Sequence, residues 1–288
     1  MKRVKEVVDY AYDEGMYVII NAHHDTANYS QGRSTSYAKD QTGLTWTMGV
    51  PYMLFNCKTD VASQSENVKR LWTTLANEFK DYDNHLIFED FNEILGTDRS
   101  NWVGDSSQWD NLNTLQQVFV DTVRATGGKN ANRILSLCGS YGNGINHENS
   151  MKKFNITDSA KNRIIVQLHC YKKYNGALSD GALQKIKKYF LDKGYPVIIG
   201  ETGFDIKNNS SADNIKAAAA QFRLTEKYGV KNFYWDGGEF AIFDRKNLTW
   251  KDENLLKTMN EFATGNTKSN IKEAKYITTT RRLYYYRS

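Results

Sequence analysis

The stretch LIFEDFNEILG, Leu86 to Gly96, places Glu89, Asp90 and Glu93 among residues that otherwise favour a protein interior. Further along, YPVIIGETGF carries Glu201 directly behind a run of branched apolar residues, with Gly200 leaving room for close approach and Gly203 able to turn the chain. In a strand, alternation assigns Ile87, Glu89, Phe91 and Glu93 to one face and Phe88, Asp90 and Asn92 to the other, until the strand ends and the rule lapses. Glu89 then lies mid-strand, where burial demands a partner or a raised pKa, and Asp90 is placed to pair with a base on a covering helix. Both read as framework. Glu93 and Glu201, each at the carboxyl end of an apolar run, are the acids placed to meet a substrate. Two such carboxyls can divide acid–base work, one protonating a leaving oxygen while the other faces an electron-poor carbon. Glycoside hydrolysis requires that pair, and in a retaining enzyme the carboxyls stand about 5 to 5.5 Å apart.

The elements that must position them are short apolar runs alternating with amphipathic helical stretches, the rhythm of βα units and a parallel sheet. The runs are MYVIINAHH, HLIFEDFNE, RILSLCGS, RIIVQLHCY, YPVIIGETG and VKNFYWDGG. Their nearly continuous apolar character predicts strands covered on both faces. Helices are predicted over 2–14, 65–80, 109–126, 182–193, 212–228 and 253–264, several closing at a glycine suited to the left-handed cap. Each run ends in polar residues: His23 and His24, Asn92 and Glu93, Gly139 and Ser140, His169 and Tyr171, Glu201, Trp235 and Asp236. In parallel α/β folds the carboxyl ends of the strands line the ligand site, so the six tails converge on one face. Any one tail alone reads as an ordinary polar strand end, and a lone histidine as a core residue bonded to a carbonyl; the series carries the argument. The segment between NAHHD and Ser65 is long for a structureless loop and holds Tyr29, Trp46, Tyr52 and Phe55, while Trp102 and Trp109 follow Glu93.

At 288 residues the chain is large enough for one α/β barrel, and 40% hydrophobic with 25% charged residues is ordinary globular composition. The net charge of +5 arises from 38 Lys and Arg against 33 Asp and Glu spread along the chain, which argues against a nucleic-acid partner. No apolar run is long enough to predict a membrane span. Aromatics reach 13%, with 18 Tyr, consistent either with an open groove that stacks on flat ligands or with ordinary core and surface rings. Cys57, Cys138 and Cys170 lack ligand spacing, so neither a metal centre nor a disulfide framework is expected, and no cofactor is implied. Met1 leads into charged, helix-like sequence without an apolar signal segment.

INAHHD, IFEDFNE, HCY, IIGETGF and FYWDGG, in this order, resemble the strand-end motifs of glycoside hydrolase family 5, a family of retaining (β/α)8 glycosidases. The resemblance runs from about Lys2 to Thr264, and WDGGEFAIFDR resembles the eighth-strand region of the endoglucanase branches. It implies an α/β, TIM-type (β/α) barrel with about six recognisable βα units over 1–265, and an endo-β-1,4-glucanase acting on cellulose-like or mixed-linkage β-glucan. It makes Glu93 the acid/base and Glu201 the nucleophile that forms the glycosyl-enzyme. Asn92 would bond the 2-hydroxyl of the sugar being cleaved, His23 and His24 would match the third-strand histidines, one of which reaches that sugar, and His169 would lie near the acid/base. Tyr171 would touch the nucleophile and help keep it ionised, and Trp235 would supply the platform under the ring. An exported, extracellular origin is also implied.

Counting back from Glu201 as the seventh strand makes YVIINAHH the third, so the first two strands and the first helix of the family pattern, with a strand-two arginine, have no counterpart here. A barrel incomplete at the N-terminus exposes two sheet edges, which the strand-prone tail 266–288 or a second copy of the chain is expected to cover. Two rival functions stay open: a catalytically impaired carbohydrate-binding protein, and a mannanase or xyloglucanase of the same family.

Overall fold

The computed structural model describes residues 1–23, 55–58, 60–96 and 101–264. The elements are, in order, α1 (Lys2–Tyr12), β1 (Val18–Asn21), α2 (Val61–Glu78), β2 (Leu86–Glu89), α3 (Ser106–Ala125), β3 (Leu135–Cys138), α4 (Glu148–Met151) and β4 (Ile164–Tyr171). They continue with α5 (Lys172–Asn175), α6 (Asp180–Tyr189), β5 (Val197–Gly203), α7 (Ser211–Lys227), β6 (Lys231–Tyr234), β7 (Phe243–Asp244), β8 (Thr249–Trp250) and α8 (Glu253–Ala263). Strands β1 to β6 form one sheet in sequence order, the arrangement of an incomplete (β/α) barrel. The six predicted runs are therefore its six strands. The helices begin slightly earlier than their apolar periodicity predicts where a polar cap precedes them: Asp60 accepts from the backbone of Ala62 and Ser63, so α2 starts at Val61.

The residues group into two compact units, one of 1–169 with 184–198 and one of 170–183 with 199–288. In the first, β1 pairs with β2, β2 with β3 and β3 with β4, all parallel, with Val18 opposite Leu86 and Leu135 opposite Ile164. Strands β2 and β3 are buried at every residue. Helix α2 turns Val68, Leu71, Trp72 and Leu75 inward and α3 turns Leu112, Leu115, Phe119 and Val123 inward, at helical spacing. The Trp72 ring meets Phe88 at 5.4 Å and Phe119 at 4.6 Å. Helix α3 opens with a capping box in which Asp105 and Gln108 satisfy each other's backbone.

Beneath this core lies a buried cation. Arg133 donates its five N–H groups to Asn130 Oδ1 and to the carbonyls of Asp83, Leu86, Phe79 and Tyr82, with its guanidinium 4.6 Å from the centre of the Phe88 ring. It thereby ties the end of α2 to the start of β2, and burial draws its pKa down to about 10. Next to it, Arg124 grips Asp158 with two bonds of 2.7 Å and also reaches the carbonyls of Asn130 and Arg133.

In the second unit, Trp235 donates its backbone N–H to the Thr202 carbonyl, joining the ends of β6 and β5, and Thr202 Oγ1 donates to the carbonyl of Cys170 at the end of β4. Gln221 of α7 bridges Thr202 and Asn232. Phe204, Ala218, Phe222, Ile242, Leu255 and Met259 form the core between α7, α8 and the strand ends.

Coverage on both faces holds for β2 and β3 but not for the outer strands: β1 is half-buried throughout, and β6 exposes Lys231 and Phe233. Among the described residues each outer strand pairs on one side only, so it shields less of its own surface. Cys57, Cys138 and Cys170 are buried free thiols. The tail segment 266–288 lies outside the described residues.

Arg133→Lys is expected to lower the free energy of unfolding by about 2–3 kcal/mol, because a lysine keeps the charge but supplies at most three donors and leaves buried carbonyls unmet. Urea unfolding followed by circular dichroism measures this, and an unchanged midpoint would show that the clamp is dispensable.

Candidate active site

Glu89 is the last residue of β2 rather than a mid-strand one, Asp90 follows just past it, and both are framework. Glu89 is 6% exposed and accepts from Asn21 Nδ2 at 2.9 Å and Ser136 Oγ at 3.0 Å, which links β1, β2 and β3 through one carboxyl. Burial raises its pKa, against the opposing pull of Asn21 and His169. Asp90 accepts from the backbone of Phe91 at 2.6 Å and of Cys138 at 3.1 Å, and from Gln116 Nε2 at 2.8 Å. The partner from the covering helix is thus an amide and not the base that sequence reasoning anticipated. An amide suits the place: Gln116 also donates to the Cys138 carbonyl, closing a ring with Asp90 that a point charge would not satisfy. Burial pushes Asp90 up to about 7, against the Gln116 and Phe91 donors.

In the first unit, β2 ends at Glu89 and Glu93 stands beyond it in the left-handed region, with φ +46°. Its side chain is about 30% exposed, and its Oε1 lies 2.9 Å from Nδ1 of the buried His169, a hydrogen bond reaching from β4. Asn92, immediately before it, is 6% exposed. His23 follows β1, with Nδ1 3.4 Å from Asn21 Nδ2, which connects it to the Glu89 network. His24 lies outside the described residues, as do Tyr29, Trp46 and Tyr52.

In the second unit, Glu201 belongs to β5, and Tyr171 Oη at the end of β4 donates to its Oε2 at 2.6 Å. The Tyr171 ring lies against Phe240, centroids 4.9 Å apart and 31° between planes. A Cβ at Gly203 would come within 2.6 Å of the Phe240 ring, so the glycine after Glu201 is what lets Phe240 seat there. Trp235 begins the segment after β6, and its indole folds so closely over Gly237 that a Cβ there would sit 2.8 Å from Nε1. Lys173 pairs with Glu239 at 2.8 Å and Asp205 at 3.3 Å, and Tyr174 Oη donates to Glu239 at 2.6 Å, fixing the turn that follows Tyr171.

Of the residues singled out in the sequence, Glu93 is bonded to His169 and Glu201 to Tyr171, while Phe240 and the Lys173–Glu239 pair were not among them. Their signal is weak: a phenylalanine and two charges in loops acquire meaning only once the loops meet. What the arrangement offers is two carboxyls in different settings, one bonded to an imidazole and the other to a phenol.

The chain belongs to the cellulase family, glycosyl hydrolase family 5, whose model matches residues 1–241. Among characterised proteins it is similar to Endoglucanase B of Neocallimastix patriciarum, 35% identical over 257 residues, 83% of this chain and 48% of that protein. It is also similar to Endoglucanase 1 of Ruminococcus albus, 29% identical over 285 residues, 91% of this chain and 63% of that protein. The chain spans about half to just under two thirds of the length of these relatives. Among solved structures, a family 5 lichenase from a Caldicellulosiruptor species aligns with a TM-score of 0.74 at 32% identity, over 91% of this chain and 74% of that one. A xyloglucan-specific endo-β-1,4-glucanase from a metagenomic library, solved with cellotriose, aligns with a TM-score of 0.72 at 32% identity, over 92% and 76%.

Two outcomes follow from this geometry. Tyr171→Phe keeps the ring against Phe240 and removes the donor to Glu201; on the glycosidase reading proposed below, kcat/KM on a soluble β-glucan should fall about 10- to 100-fold with the unfolding midpoint little changed. The native state holds the Asp90 proton more tightly than the unfolded chain does, so its contribution is fully present below about pH 4 and is lost as pH rises through about 7. The stability of wild type relative to Asp90→Asn should therefore decline across that window, by roughly 4 kcal/mol in urea titrations; a flat difference would contradict it.

Proposed function

We propose that the chain is a retaining endo-β-1,4-glucanase that cleaves cellulose-like or mixed-linkage β-glucan within the polymer. The observation that carries this reading is that one strand, β4, supplies the partner of each acid: His169 to Glu93 and, two residues on, Tyr171 to Glu201. Residues i and i+2 of a strand project to one face, so the pairing provides for two carboxyls acting on one bond.

In the first step Glu93 gives its proton to the glycosidic oxygen as the Glu201 carboxylate attacks the anomeric carbon. The carbon–oxygen bond to the leaving sugar breaks, that sugar departs as an alcohol, and a glycosyl ester forms on Glu201. In the second step Glu93, now ionised, takes a proton from water, whose oxygen attacks the same carbon and releases Glu201. Two displacements return the anomeric carbon to its starting configuration. Asn92 beside Glu93 is the donor to the sugar 2-hydroxyl, His23 and His24 extend the contact to that sugar, and Trp235 is its stacking surface. Arg or Lys need not approach the bond, and no cofactor enters the scheme. A polymeric substrate too large to enter a cell fits secretion, and the outer strands β1 and β6, which end the sheet among the described residues, fit association with another segment or another copy of the chain.

Glu93→Gln and Glu201→Gln should each reduce release of reducing ends from barley β-glucan at least about a hundredfold while retaining binding. Wild-type turnover no faster than both variants, with polysaccharide still bound, would make this a binding protein. Because solved relatives include a xyloglucan-specific enzyme, the same assay on xyloglucan and mannan decides the polymer; faster turnover of either would replace glucan as the substrate.

A further inference from the structure

The turn after β3 is the mould that shapes the backbone of Glu93. Residues 140–144, SYGNG, run alongside 93–96 and are stitched to it at three places within the first unit. The Glu93 N–H donates to Asn143 Oδ1 at 2.6 Å, the Gly142 N–H donates to the Ile94 carbonyl at 3.0 Å, and the Gly96 N–H donates to the Tyr141 hydroxyl. The turn is itself rigid: Tyr141 and Asn143 have no exposed surface, Tyr141 accepts no slack because its N–H is held by Ser150 Oγ at 2.8 Å, and Gly142 would place a Cβ 2.9 Å from Leu95. One residue past Asn143, Gly144 bridges to His169, the residue bonded to the Glu93 carboxyl.

Two side-chain-bearing residues here hold left-handed backbone, Glu93 at φ +46° and Asn143 at φ +54°. That conformation is ordinary for asparagine and strained for glutamate, so at Glu93 it must be held from outside. The bond from its own N–H to Asn143 is the direct restraint. Without the left-handed residue, the strand alternation that runs through Ile87, Glu89 and Phe91 would set where the Glu93 carboxyl points.

We infer that Asn143 is a positioning residue for proton transfer: it holds the Glu93 backbone left-handed and thereby keeps the Glu93 carboxyl against His169 and in reach of the leaving oxygen. The inference rests on Glu93 being the acid. Acid assistance matters in proportion to how poor the leaving group is, which supplies a readout that a loss of folded protein does not share.

The variant is Asn143→Gly, which accepts the left-handed backbone freely and removes the side chain that accepts from the Glu93 N–H and, more weakly, from Cys138 Sγ. Asn143→Asp, which restores an oxygen at that place, is its partner. Both are compared with wild type for kcat/KM on cellotetraose, whose leaving group needs a proton, and on 2,4-dinitrophenyl cellobioside, whose leaving group does not. The expected result is a fall of about 10- to 100-fold on cellotetraose for Asn143→Gly, less than about threefold on the dinitrophenyl substrate, and substantial recovery on cellotetraose with Asn143→Asp. Equal losses on both substrates, or no loss on either, would overturn the inference. Glu93→Ala is run alongside: if it lacks the same selectivity for poor leaving groups, the assignment of Glu93 fails and takes this inference with it. If Glu93→Ala shows that selectivity and Asn143→Gly does not, only the role of Asn143 is lost.

Discussion

A carboxyl group inside a parallel sheet is tolerable only where donors meet its oxygens, and that constraint organises the strand ends of this protein. Asp90 and Glu89 lie deepest and are answered by backbone N–H groups, an asparagine, a serine and a glutamine. Because those partners come from β1, β3 and α3, each acid knits neighbouring elements together as the condition of its own burial. Glu93 stands at the end of the same run, about 30% exposed and facing one imidazole. The gradation from saturated framework acid to accessible acid runs along five residues of chain, from Glu89 to Glu93.

The geometry at the strand ends is anchored from the opposite end of the sheet. Arg133 gathers carbonyls from the end of α2 and the start of β2, and Arg124 closes α3 onto Asp158. Arg133 spends four of its five donors on carbonyls and Arg124 divides its fork between the Asp158 carboxylate and two carbonyls, roles lysine cannot fill. The register of β2 against β3, which brings Glu89 beside Ser136, is fixed in this way before the chain reaches Glu93. In the second unit the equivalent restraint is smaller and more polar: Thr202 joins Cys170, Gln221 and Trp235, so the residue next to Glu201 is bound from three directions.

Much of this was legible in the sequence because it is local. The six apolar runs are strands and their polar tails are where the bonded acids, His169 and Tyr171 occur, whereas the Asp60 and Asp105 caps that start α2 and α3 earlier lie outside the apolar periodicity. What was not legible depends on contacts between distant segments. Gln116 reads as a surface residue of an amphipathic helix until it is seen to sit beneath Asp90. Asn143, in a Ser-Tyr-Gly-Asn-Gly turn, signals a turn but not what the turn holds, and nothing in the spacing of Asn92 and Glu93 announces a left-handed glutamate. Phe240 reads as one more loop aromatic, although it is the surface on which Tyr171 rests. His24 and the tail 266–288 lie outside the described residues, so the roles expected of them stay with the sequence argument.

The central claim is that Glu201 becomes covalently glycosylated while Glu93 carries the proton. Incubating the protein with 2,4-dinitrophenyl 2-deoxy-2-fluoro-cellobioside slows the second displacement more than the first, so the intermediate accumulates and can be located by peptide mass spectrometry. The account predicts one fluorocellobiosyl group per chain, on the peptide containing Glu201 and absent from Glu201→Gln. A label on Glu93, or turnover with no label under conditions that trap a retaining glycosidase, would contradict it.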